Sequence, residues 1–115
     1  MLPIPPSQDE FLLHILEECT YLRSETAVNT YKEFVGNERL IRAVCRSLEI
    51  IGEACNKVHP DIKALSPYIA WRELSDMRNR IIHNYFGIDL EIIWDTIISD
   101  IPILAEGVQL LLRQT

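Results

Sequence analysis

The sequence predicts an all-α fold, an up-and-down bundle of four to five helices. Three observations carry this. Apolar residues recur at intervals of three and four along most of the chain. Only four glycines occur among 115 residues, and runs of β-branched residues are short, so little favours strands. One proline, Pro102, falls inside an apolar helical stripe, so the last helix is expected to be kinked or split there.

The elements follow in order. After Met1-Leu2-Pro3-Ile4-Pro5-Pro6, Ser7 is a candidate N-cap with Asp9 and Glu10 in the first turn. Phe11, Leu12, Ile15, Leu16, Cys19 and Leu22 then mark a helix over about residues 8 to 26. A short bridge from Asn29 to Gly36 leads to Asn37, a second cap. Ile41, Val44, Leu48, Ile51, Cys55 and Val58 mark a second helix, about 38 to 58, ended by Pro60. Gly52 in its interior costs about 1 kcal/mol relative to alanine, and close approach of another helix is the expected reason. From His59 to Pro67 the chain reads as a loop with room for a single turn. Ile69, Trp71, Leu74, Met77 and Ile81 outline a third helix, about 68 to 84, stopped at Gly87. Asp89 caps a fourth, carrying Leu90, Ile93, Trp94, Ile97, Ile98 and Ile101, and Leu104, Val108, Leu111 and Leu112 continue its stripe.

With no internal repeat, low-complexity tract or linker, residues 1–115 are expected to form a single domain of common size. Apolar residues make up 48% of the chain, so part of the surface is expected to be an oligomer interface. No apolar run is long enough to span a membrane. The first residues lack the positive region and long apolar stretch of a signal peptide, so the expected location is cytoplasmic. Cys19, Cys45 and Cys55 are odd in number without Cys-x-x-Cys spacing, and read as small buried apolar residues. Cys55 and His59 are four apart but supply too few ligands for zinc. Glu49 and Glu53 lack the Glu-x-x-His motifs of a carboxylate metal bundle. Neither a metal nor a cofactor is therefore expected.

The net charge of −6 argues against a general nucleic-acid coat. The distribution is uneven, however. Arg39, Arg42 and Arg46 share a helix face, and Arg72, Arg78 and Arg80 follow, while acids gather toward the ends. The stripe Arg39, Arg42, Arg46 is either a contact for RNA or a partner, or a solvated face pairing with Glu38, Glu49 and neighbouring helices.

The densest chemistry lies in Arg78-Asn79-Arg80-Ile81-Ile82-His83-Asn84-Tyr85. A guanidinium that grips phosphate precedes by five residues an imidazole that titrates near neutrality. On an ideal helix these two lie about 140° apart and about 7.5 Å along the axis, so one helix does not aim both at the same phosphate. Arg78 can bend around the helix end, or two copies can build a shared cleft across a two-fold axis. The chemistry that fits is metal-free cleavage of RNA by its own 2′-hydroxyl, leaving a 2′,3′-cyclic phosphate and a 5′-hydroxyl. His83 would act as acid or base, and Arg78 would stabilise developing charge. Asn79 would donate to phosphate or orient His83. Tyr85 would donate a hydrogen bond or stack on a base. Arg80 adds charge that favours RNA. The local alternatives are His83 as a cation at a helix C-terminus, Arg78 paired with Glu73 or Asp76, and Tyr85 and Phe86 as core aromatics.

The run from Trp71 to Asp89, with Asp76-Met77 ahead of Arg-x4-His-x-Tyr, strongly resembles the HepT-like branch of the HEPN superfamily. Gly52-Glu53-Ala54 and Trp94 followed by Asp100-Ile101-Pro102-Ile103-Leu104 match as well, so that the resemblance covers about residues 8 to 112. It implies a helical bundle that forms a homodimer, and a metal-independent endoribonuclease whose motif residues line one cleft. By position, Arg78 and His83 would be catalytic and Asn79 supporting. It further implies a toxin paired with a minimal nucleotidyltransferase antitoxin that silences it by AMPylation of Tyr85. Each AMP would bring a negative phosphodiester beside His83, occupying the guanidinium and repelling substrate. The alternative class is a non-catalytic helical interaction module that docks a nucleotidyltransferase or binds RNA or nucleotide.

Overall fold

The computed structural model describes residues 6–83 and 87–114, and the described residues form six helices and no strand. Four are long: α1 (Pro6–Val28), α3 (Glu38–Lys57), α5 (Trp71–His83) and α6 (Leu90–Leu112). Two are short, α2 (Tyr31–Val35) and α4 (Pro60–Lys63). The architecture is the expected all-α bundle. α1 packs against both α3 and α6, and α3 packs on its other side against α5. A continuous core runs through these contacts, with Leu12, Ile15, Cys19, Leu48, Ile51, Leu74, Ile81, Ile97, Ile101 and Leu104 all buried.

Two of the caps legible in the sequence start their helices. The Asn37 side chain accepts a hydrogen bond from the Leu40 amide and starts α3. Asp89 accepts from the amides of Glu91 and Ile92 at the start of α6. The short bridge after α1 contains α2, fixed by a reciprocal capping box between Thr30 and Glu33. Phe34 of α2 stacks on Trp94 of α6 with ring centroids 5.0 Å apart, which ties the bridge to the body. The single turn expected between His59 and Pro67 is α4.

Two boundaries differ from expectation. α1 begins at Pro6, so Ser7 lies inside its first turn rather than at the cap, and a proline is well tolerated there because that N–H has no helical partner. α5 begins at Trp71, not near 68. Ile69 is buried because it covers Gly107 of α6, not because it belongs to the α5 face. The indole N–H of Trp71 donates to the Ser66 carbonyl at 3.1 Å and fixes this corner. At the other end α5 runs to His83, and the expected end at Asn84 lies outside the described residues. The expected stop at Gly87 follows that segment, so how α5 ends also lies outside the described residues. α6 continues through Pro102 to Leu112 and does not split. The carbonyl that loses its partner belongs to Ile98, which is half exposed, so water can serve it.

Candidate active site

α5 carries the motif on its solvent side. Trp71, Leu74, Met77 and Ile81 bury one face of this helix, which leaves Arg72, Glu73, Asp76, Asn79, Arg80, Ile82 and His83 exposed and Arg78 at the boundary. That boundary position is set by the contact with α3. Gly52 lies where the two helices cross, and a Cβ there would stand 2.7 Å from Arg78 Cβ and 2.8 Å from the Leu74 carbonyl oxygen. Only a residue without a side chain permits this approach, as expected from its position in the helix interior.

Arg78 reaches over α3 into a polar groove lined with Glu53, Asn56, Lys57, Ser75, Asp76 and Asn79. Its Nε lies 4.0 Å from Glu53 Oε2, the outer limit of an ion pair. Nη1 donates to Asn79 Oδ1 at 3.5 Å, a long contact. Glu53 also pairs with Lys57 at 3.4 Å. Among the described residues, neither Glu73 nor Asp76 forms an ion pair with Arg78.

His83 occupies the last turn of α5 and is exposed. Arg78 and His83 lie on one continuous helix, so the ideal separation of about 140° applies to them. Asn79 is four residues before His83 and therefore on its face, while its amide oxygen meets Arg78. Asn79 is thus the side chain between the two. Arg80 points elsewhere: it lines a small cleft with Met77, Ile81, Ile88 and Asp89. Tyr85 lies outside the described residues.

The arginine stripe is partly neutralised within its own helix. Arg42 pairs with Glu38 at 2.8 Å and Arg46 with Glu49 at 3.3 Å, both at exposed helical spacings where such pairs contribute little stability. Arg39 is exposed. Arg42 and Arg46 border a second groove with an apolar floor of Ile41, Cys45, Ile88 and Leu90.

Among the described residues, no three His, Cys, Asp or Glu side chains come together as a ligand set for a metal ion. The sequence pair Cys55 and His59 diverges: the thiol is buried, while the imidazole Nδ1 accepts from the Asp61 amide at the start of α4. Burial pushes the Cys19 and Cys55 thiols up to about 12 and Cys45 to about 11. No described helix is long and apolar enough to cross a membrane.

The described residues thus form a helical bundle that carries a partly exposed guanidinium, Arg78, and an exposed imidazole, His83, on one helix. Comparison with known proteins supplies the family. The profile of the ribonuclease HepT-like family matches residues 15–111, and the chain belongs to this family of enzymes that act on RNA. Among curated proteins, it is 38% identical over 104 residues to a provisionally named RNase of Caldanaerobacter subterraneus subsp. tengcongensis, covering 90% of this chain and 93% of that one. It is 39% identical over 98 residues to a protein of Thermococcus cleftensis provisionally named ribonuclease HepT, covering 85% and 89%. A provisionally named RNase of Methanocaldococcus jannaschii is 41% identical over 92 residues, covering 80% and 76%. No solved structure matches the chain.

Proposed function

We propose that this chain is a metal-independent endoribonuclease toxin acting through Arg78 and His83. The observation that carries the reading is the Arg-x4-His pair on the open side of α5 in a member of the HepT-like ribonucleases. His83 is exposed, so a 2′-hydroxyl or a leaving 5′ oxygen has access to its imidazole for proton transfer. Arg78 keeps part of its guanidinium open to solvent beside the groove, where it grips the scissile phosphate and stabilises charge as it develops. Asn79, between them, orients both. Arg39, Arg42, Arg46 and Arg80 are secondary contacts for RNA or a partner.

The two groups diverge around the helix, which supports an active form with a second copy. In a homodimer, Arg78 of one chain and His83 of the other meet one phosphate. Ile82, 46% exposed beside His83, is an apolar side chain that such a partner covers. The natural inhibitor is a minimal nucleotidyltransferase that transfers AMP to Tyr85, placing an anion and a base two residues from His83.

Expression in cells tests the toxin reading. The chain alone should arrest growth, and His83→Ala should relieve the arrest. Co-expression with a minimal nucleotidyltransferase should restore growth and add the mass of AMP to the wild type, while Tyr85→Phe stays toxic and unmodified. Full rescue of Tyr85→Phe would contradict inhibition by modification. Growth unaffected by the wild type, confirmed unmodified by mass, would contradict toxicity.

A further inference from the structure

The Gly52-Glu53 pair of α3 faces the motif arginine, and its chemistry extends the site beyond α5. We propose that Glu53 is a positioning residue for Arg78, holding the guanidinium in the orientation that meets substrate phosphate. This rests on the reading of Arg78 as a catalytic group given above.

Gly52 fixes where the Arg78 side chain starts, since Arg78 Cβ sits directly over it. What remains free is the long side chain, whose several rotatable bonds leave an unpartnered arginine spread over many rotamers. Glu53, the next residue on α3, faces that side chain from the Nε edge at 4.0 Å. Asn79 takes the Nη1 side. A guanidinium has five N–H donors in a rigid fork, so a carboxylate on the Nε edge leaves the terminal edge for a phosphate. Glu53 is itself steadied by Lys57, one turn on along α3, at its other oxygen, Oε1. The three charges form a chain from Lys57 through Glu53 to Arg78 across the helix crossing.

In the groove, Lys57 and Arg78 are matched by Glu53 and Asp76. A carboxylate this close to Arg78 repels a phosphate and competes for its cation. Electrostatics alone therefore predicts that removing the Glu53 charge tightens RNA binding and leaves turnover intact. Positioning predicts a loss of turnover, because an arginine that must find its orientation after binding stabilises the transition state less. The two effects act on different kinetic constants.

The test measures kcat and KM on a short single-stranded RNA oligonucleotide for the wild type, Glu53→Gln, Arg78→Lys and the double variant, with melting temperatures alongside. Glu53 is half exposed, so Glu53→Gln is expected to fold normally. The expected result is a fall in kcat of about tenfold with KM unchanged or lower. In the Arg78→Lys background, which lacks the guanidinium fork, Glu53→Gln should cause little further loss. Wild-type kcat in Glu53→Gln, or an undiminished loss in the Arg78→Lys background, would overturn the proposal. Full kcat in Arg78→Lys would instead remove Arg78 from the mechanism and the proposal with it. Should the wild type not cut, the Nε–H resonance of Arg78 decides. A resolved signal that Glu53→Gln broadens or averages supports positioning, and identical signals overturn it.

Discussion

Gly52 of α3 lies directly beneath Arg78 of α5, with room for no side chain between them. The neighbour that blocks one is backbone, the Leu74 carbonyl, as well as Arg78 Cβ, so relief requires one helix to move. Gly107 of α6 is also crowded, but by the side chains of Ile69 and Tyr68. Ile69 lies in the bend ahead of α5 and can shift with that segment, whereas the Leu74 carbonyl is held within a helix. Alanine gains about 1 kcal/mol of helix propensity over glycine at either position, while overpacking costs roughly 1–3 kcal/mol. Gly52→Ala should therefore destabilise the protein by up to about 2 kcal/mol and weaken RNA cleavage by displacing Arg78. Gly107→Ala should stay within about 1 kcal/mol of the wild type. Urea unfolding midpoints for the two variants check this, and equal losses would contradict the distinction.

The buried thiols should be chemically silent in the folded state. The thiolate is the reactive form, and burial raises Cys19 and Cys55 to about 12 from 9.0. At a pH below both values, that leaves roughly a thousandfold less thiolate than in the unfolded chain. Alkylation at mildly alkaline pH should therefore be slow at Cys19 and Cys55, faster at Cys45, which rises only to about 11, and rapid at all three in denaturant. Mass-resolved labelling at each site measures this, and fast native labelling of Cys19 would contradict its burial.

Asp100 gives stability a pH dependence of known sign. Burial, with a smaller contribution from the nearby Glu73 carboxylate, raises its pKa above the ordinary 3.8. The folded state thus holds this proton more tightly than the unfolded one. The favourable contribution is fully present below 3.8 and is lost as the pH rises through the raised value. Asp100→Asn removes the ionisation, so it should raise the melting temperature at neutral pH and lose that advantage at pH 3. An advantage that persists undiminished into acid would contradict this origin.

The bounds of α3 and the start of α6 were legible from local signals. Asn37 and Pro60 bracket α3, and Asp89 starts α6, because capping depends on a few adjacent residues. α2 had such a signal in Thr30-x-x-Glu33, a capping box hidden in what reads as a bridge. The start of α5 was not legible, because Ile69 is buried by a contact with distant Gly107 that mimics helical spacing. The same divide runs through the site. Arg78, Asn79 and His83 stand out by residue type and spacing, and Gly52 by being a glycine inside a helix. Nothing in the local sequence pairs Arg78 with Glu53 rather than Glu73 or Asp76, since that neighbour arises only from the crossing of α3 and α5.

The proposed metal-free ribonuclease centre on α5 is built on Arg78 and His83. Its most direct test is cleavage of a labelled RNA pool in EDTA by purified protein, its mass confirmed as unmodified, beside His83→Ala with an unchanged melting temperature. Wild-type products should end in 2′,3′-cyclic phosphate and 5′-hydroxyl, with cleavage reduced at least about a hundredfold in the variant. Equal cleavage by both proteins would remove His83 from the mechanism, and cleavage by neither would contradict the catalytic reading of the motif.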